Sequence, residues 1–475
     1  MSDLPITLSD AAAALRAGTV TSAALTEAAI ATAEAADDRI GSYLARMDDT
    51  ARQAAATADT ELAAGVDRGP LHGIPFGIKD ILATKDAPTT AQSLVLDRSW
   101  GAGKDAPTVA RLRAAGAVFT GKTTTMEFAC GMPDTGKPFP VPRNPWDTDT
   151  WPGGSSSGTG SGVAAGMFLA GLGTDTAGSI RIPSAFCGVT GLMPTFGRVP
   201  KSGCVPLGYS LDHIGPLARS ARDCAEVLAV IAGRHASDPD SVDAPFEFAA
   251  DSWSADLTGL RVGVVHAGHF PADSDPAALT AFDAAVAQLA ALGAEPIEVE
   301  LPYWTEMRTA NLVTMSCEAL AYHRADTATR WPDYFTATRA MIARGALVSG
   351  ADYVQAQRVR RVAQHAIGEL FAEVDLVACP TAVVAAPRYD ELTDAEGNVD
   401  IEEMFTKVHT GYWDCLGNPV LALPMGFNAV GLPLSVSLAA PAFGELTALR
   451  AGHAYQQHTD WHLRVPEIAA ATVAA

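Results

Sequence analysis

The sequence predicts an α/β chain, a β-sheet flanked by helices, on three observations. Residues 261–265 (Arg-Val-Gly-Val-Val), a helical run at 277–292 and residues 296–300 (Pro-Ile-Glu-Val-Glu) read as a β-α-β unit. Strand-like runs recur at 375–379, 419–423 and 434–438 after a mainly helical stretch from 317 to 371, an alternation that favours a sheet between helical layers. At 475 residues and 48% hydrophobic content the chain can bury a large core. No repeat, heptad run or long polar linker divides it, so one large α/β domain with a helical N-terminal portion is expected.

Residues 8–16 and 22–35 read as two amphipathic helices punctuated by Gly18, with Ser9 or Asp10 and then Ser22 as N-cap candidates. The apolar residues Ile74, Phe76 and Ile78 predict a strand that ends at Lys79 and delivers its amine from a buried position. Residues 116–123 satisfy the Gly-x4-Gly-Lys-Thr phosphate-loop pattern, which is rejected on context. The β-prone Ala117-Val118-Phe119 lies inside the would-be loop, and 109–115 before it reads as helix. Residues 154–158 match the Gly-x-Ser-x-Gly nucleophile elbow, which requires a preceding strand. The approach at 143–152 carries two prolines and several turn residues, so Ser156 is read as structural. A flexible linker at 153–162 is disfavoured because the segment runs straight into the apolar stretch 163–172. In the helical segment 307–366, Met315, Tyr322, His323, Trp331, Tyr334 and Tyr353 are candidate pocket residues, with core packing the preferred reading; His213 and His323 are read as structural or surface histidines.

The chemistry concentrates in two Gly-rich turns. One is Gly153-Gly154-Ser155-Ser156-Ser157-Gly158; the other is Thr174-Asp175-Thr176-Ala177-Gly178-Ser179-Ile180-Arg181. A serine is a poor nucleophile until a base takes its proton, and a lysine serves as that base when burial lowers its pKa towards about 7 to 8. Lys79, Ser155 and Ser179 supply a base, a hydroxyl relay and a nucleophile without any histidine. The small residues 176–178 allow backbone N–H groups to converge on one point, as a tetrahedral oxyanion requires. Asp175 and Arg181 are expected to brace that turn through charge-assisted hydrogen bonds.

These motifs identify a resemblance to the amidase signature family. It is densest over about 71–217, including Glu127-Phe128-Ala129, Asn144-Pro145-Trp146, residues 191–198 and residues 211–216, and returns at Cys379-Pro380-Thr381, Gly417-Asn418-Pro419 and 423–427. Where many relatives carry Gly and Gln after Gly-Leu-Pro, this chain reads Leu434-Ser435-Val436-Ser437-Leu438. The resemblance implies a Ser, cis-Ser, Lys triad of Ser179, Ser155 and Lys79, with an oxyanion hole from the N–H groups of Thr176, Ala177, Gly178 and Ser179. It implies a mixed sheet of about eleven strands sandwiched between α-helices, with a single domain over 1–475. Its parts are a helical portion at about 1–65, a signature core at about 70–217 and a C-terminal α/β portion at about 258–466. Cys130, Gly131 and Met132 are expected to line the substrate pocket.

The net charge of −21 opposes nucleic-acid and anionic-membrane partners. Seven scattered cysteines without Cys-x-x-Cys spacing indicate neither a disulfide framework nor a zinc site. Met1-Ser2-Asp3-Leu4 lacks the features of a signal peptide, and the apolar runs are too short to span a bilayer, so a cytoplasmic protein is expected. The leading function is hydrolysis of a carboxamide C–N bond through an acyl-enzyme, with no metal or organic cofactor; the expected partner is a small-molecule amide or carbamate, and a homodimer is left open. Alternatives are the glutamine-hydrolysing component of a tRNA-dependent amidotransferase, a carbamate or aryl-acylamide hydrolase, and a non-catalytic binding protein on the same fold.

Overall fold

The computed structural model describes residues 4–249, 253–392 and 401–469. Residues Met1-Ser2-Asp3 of the expected N-terminus, and 393–400 of the C-terminal portion, lie outside them. Eleven strands are present among the described residues: β1 (Tyr43–Arg46), β2 (Pro75–Lys79), β3 (Val118–Thr123), β4 (Ala170–Asp175), β5 (Thr190–Met193), β6 (His213–Ala218), β7 (Arg261–Val264), β8 (Glu295–Glu298), β9 (Leu376–Pro380), β10 (Val420–Phe427) and β11 (Pro433–Ala439). They form a single mixed sheet in the order β1-β3-β2-β4-β6-β5-β10-β11-β9-β7-β8. Strands from the first and second halves of the chain therefore share one sheet, joined where β5 pairs antiparallel with β10.

The expected β-α-β unit is present: β7 and β8 run parallel, Val262 opposite Pro296, with the helix Pro276–Ala291 between them in the chain. The late strands fall within a residue of their expected starts, and β10 and β11 run on past their expected ends. Val118, Phe119 and Lys122 lie in β3 after the helix Pro107–Ala114, so the phosphate-loop match is a fully buried strand next to the edge of the sheet. Segment 143–152 contains no named strand.

The two N-terminal helices, Leu8–Arg16 and Ser22–Ile40, are capped earlier than expected, the first by at least two residues and the second by one. Thr7 and Thr21 hold extended backbone, and their side chains accept from the N–H groups of Asp10 and Ala24. A cap must precede the first helical residue, and Ser9 and Ser22 already lie inside the helices. Ser9 instead donates to the Asp223 carboxylate at 2.7 Å, and Ser22 to the Gly73 carbonyl at 2.7 Å. The second helix continues to Ile40, where Gly41 adopts the left-handed conformation that ends it.

The Gly/Ser run is a helix, Ser157–Ala165, with every residue buried. Glycine costs a helix interior about 1 kcal/mol relative to alanine. Close packing explains its use here: a Cβ on Gly158 would lie 2.2 Å from the Ser42 carbonyl oxygen and 2.6 Å from the Thr124 nitrogen. Only a bare backbone lets this helix lie so close to the β1–β3 edge of the sheet.

Candidate active site

Parallel strands end at the same edge of a sheet, where loops can gather side chains. β2 and β4 are adjacent and parallel, with Ile78 opposite Leu172, so Lys79 at the end of β2 lies beside Thr174 near the end of β4. Lys79 Nζ donates to Thr174 Oγ1 and to Ser155 Oγ, each at 2.7 Å. The lysine is fully buried. Burial lowers its pKa to about 7, with the nearby Asp175 and Asp212 opposing the shift. Near neutrality a large share of Lys79 is therefore free amine, able to accept a proton from the hydroxyl it touches. Thr174, which had no role in the sequence reading, fixes the amine from its far side.

Ser155 follows a cis peptide bond from Gly154. It precedes the all-buried helix Ser157–Ala165, whereas Ser179 lies in the turn between β4 and the helix Arg181–Cys187. The Ser156 N–H donates to the Ser179 carbonyl at 3.1 Å and ties the two turns together. Ser156 itself is structural: its hydroxyl accepts from the Thr174 N–H at 3.2 Å. Ser155 and Ser179 both line a cavity of about 40 Å³ with Cys130, Gly131, Trp151, Met315, Met341 and Phe405 among its walls. No hydrogen bond joins the two serine hydroxyls among the described residues. Catalytic hydrogen bonds of this kind are often long in an unliganded site and tighten with substrate.

The bracing of the Ser179 turn is denser than expected. Arg181 Nε and Nη2 donate to the two oxygens of Asp175 at 2.9 and 3.1 Å, and Nη1 donates to the Thr410 carbonyl at 2.9 Å. Nη2 also reaches Asp414 at 2.5 Å. All three ionisable side chains are fully buried. Burial and the neighbouring Asp175 push the Asp414 carboxyl well above its usual range, whereas Arg181 holds the Asp175 carboxyl below its own despite burial. Asp414 escaped the sequence reading because it lies in a helix far along the chain, Gly411–Leu416, with no local motif. His213 is buried and its pKa falls to about 4 through desolvation, so it is a neutral structural residue beside Asp175.

Two expected site assignments change. The Gly178 N–H is taken up by the Asp175 carboxylate, because the left-handed backbone at Gly178 turns that N–H back towards the end of β4. The N–H groups of Thr176, Ala177 and Ser179 have no protein acceptor among the described residues. Met132 packs into the main apolar core, whereas Cys130 and Gly131 do line the cavity. Of the aromatic and methionine candidates on the later helices, Met315 reaches the site; Tyr334 is core and bonded to His323, while Tyr322 and Trp331 are exposed.

A model of the Amidase family matches residues 24–449. The chain belongs to the amidase signature family. It is 38% identical over 486 residues to the A component of a glutamyl-tRNA(Gln) amidotransferase from Roseiflexus sp. (strain RS-1), covering 98% of both chains. It is also 38% identical over 467 residues to an amidase of Pseudomonas putida, again covering 98% of both. A solved chain, described as part of an unexpected vestigial protein complex revealing the origins of an s-triazine catabolic enzyme, superposes with a TM-score of 0.87 at 33% identity, covering 95% of this chain and 98% of that one. The amidase-family assignment establishes a hydrolase-class enzyme of C–N amide chemistry, on the mixed eleven-stranded sheet expected from the sequence. No helix among the described residues is long and apolar enough to cross a membrane.

Proposed function

We propose that this amidase hydrolyses a small carboxamide through an acyl-enzyme on Ser179. The observation that carries the reading is the buried Lys79 amine, with a pKa of about 7, held 2.7 Å from Ser155 in the cavity that Ser179 shares. Ser179 Oγ attacks the carbonyl carbon and passes its proton to Ser155, which passes its own to the neutral Lys79. The oxyanion forms within reach of the Thr176, Ala177 and Ser179 N–H groups, a contribution of about 10² to 10³ per donor. As the C–N bond breaks, the leaving nitrogen takes a proton from Ser155, which is reprotonated by the lysine ammonium. Water then attacks the acyl-enzyme by the same relay and regenerates Ser179.

A covalent fluorophosphonate probe tests the assignment. One adduct by intact mass on the wild type and none on Ser179→Ala, with hydrolysis of members of an amide and carbamate panel, is the expected result. An adduct on both proteins would move the nucleophile elsewhere.

A second reading is favoured by the high similarity to the amidotransferase component along the whole chain. In that reading the amide is glutamine and the ammonia passes to a partner. Ammonia release from glutamine that appears only with added partner proteins would select it; turnover of simple amides by the isolated chain would select the hydrolase.

A further inference from the structure

A second cavity, of about 310 Å³, adjoins the catalytic one: Met315, Met341 and Phe405 form walls of both. Its other walls mix the apolar Trp304, Leu312 and Val408 with polar groups such as Thr309 and Asn311. Into it the helix Trp304–Arg330 places one half-buried cation, Arg308. The guanidinium donates to the Phe405 carbonyl at 2.9 Å and lies 5.9 Å from the Trp304 ring centre. Among the described residues no carboxylate pairs with Arg308 and none lines the cavity.

A guanidinium offers five donors in a fixed fork, and Arg308 has one of them on a protein carbonyl. Burial without a counter-ion disfavours its charge, so its pKa is lowered by desolvation. A carboxylate arriving in the cavity would relieve that cost and be held by a charge-assisted, bidentate contact. Among the described residues the cavity offers Arg308 no carboxylate, which leaves most of its fork open to an anionic group.

We propose that Arg308 is a specificity residue for amide substrates whose apolar body ends in a carboxylate, with the scissile amide at Ser179 and the body crossing the Met315, Met341 and Phe405 walls into the larger cavity. This rests on the hydrolase reading for the position of the amide and on the second cavity for the carboxylate.

The test uses glutaranilic acid and its neutral methyl ester. Binding is measured by calorimetry at pH 7 on Ser179→Ala, where neither probe is turned over, and on Ser179→Ala combined with Arg308→Gln or Arg308→Lys. The acid is expected to bind about ten to a hundred times more tightly than the ester. Arg308→Gln should bring that ratio close to one, and Arg308→Lys should retain part of it. Equal affinities in Ser179→Ala, or an undiminished preference in Arg308→Gln, would overturn the inference. Aniline release by the wild type separates it from the hydrolase reading. Cleavage of both probes without preference for the acid removes the role of Arg308 and leaves Ser179 in place. Arg308-dependent binding of the acid with cleavage of neither supports the anion site and counts against the hydrolase.

Discussion

Lys79 Nζ stands 2.7 Å from Ser155 Oγ with the amine wholly removed from solvent, although the two residues are 76 positions apart in the chain. The contact exists because β2 and β4 lie side by side and the Gly-rich helix packs against them closely enough to bring Ser155 to the lysine.

Activity should therefore follow the free amine. With a Lys79 pKa of about 7, kcat/KM is expected to fall about tenfold per pH unit below that value and to level off above it. A pH–rate profile of the wild type checks this; a flat profile from pH 5 to 9 would remove Lys79 as the base. Ser155→Ala should retain the fold and lose about 10² to 10⁴ in kcat, while Ser179→Ala should lose about 10⁴ or more.

The same burial makes Lys79 a stability cost with a defined pH dependence. Its folded pKa is depressed below that of an unfolded lysine, so the unfolded state binds more protons between about pH 7 and pH 10 and the native state gains stability as pH rises across that window. Lys79→Met should abolish activity yet melt higher than the wild type. Its advantage should be larger at pH 7 than at pH 9.5, and equal advantages in thermal melts at the two pH values would contradict the burial argument.

One substitution made at two carboxylates on the same guanidinium should give unequal results. Burial beside Asp175 already disfavours the charged form of Asp414, which accepts from Arg181, so Asp414→Asn keeps an acceptor there and should cost less than about 1 kcal/mol. Asp175→Asn removes the charge that balances Arg181 and loosens the Gly178 and Ile180 N–H contacts. Its cost should approach the roughly 3 to 5 kcal/mol typical of a broken buried pair, with activity falling alongside. Denaturant titration of the two variants measures the difference.

Gly158→Ala offers a test of the helix packing. Its added methyl meets the Ser42 carbonyl and the Thr124 backbone rather than a side chain that can rotate away. A loss of at least about 1 to 3 kcal/mol is expected despite the higher helix propensity of alanine. The matching change at Gly166, the left-handed residue ending this helix with open space around it, should cost less.

Local pattern carried the β-α-β unit, the late strands and the strand into Lys79, because side-chain period and turn residues act over a few positions of chain. The two serine turns and the base were legible for the same reason, as short motifs whose residue types match one chemistry. The first cap was misplaced by at least two residues because Thr7 and Ser9 are equally good capping types, and the hydrogen bond from Ser9 to Asp223 shows where Ser9 is spent. Met132 was misassigned because adjacent residues in an irregular segment can face opposite ways, Gly131 to the cavity and Met132 to the core.

Taken alone, the sequence determined the family and several of the elements, and it singled out Lys79, Ser155 and Ser179 as the groups to move a proton. The tertiary structure decided whether they could do so: the depressed pKa of Lys79 is desolvation by strands and helices from across the fold, and no nearby residue encodes it. It also decided that Asp414 shares Arg181 with Asp175, that the Gly178 N–H belongs to that brace, and that Met315, Met341 and Phe405 wall two connected chambers. Desolvation, charge sharing and cavity shape are sums over residues distant in sequence, whereas strands, turns and caps are settled within a few residues of each other.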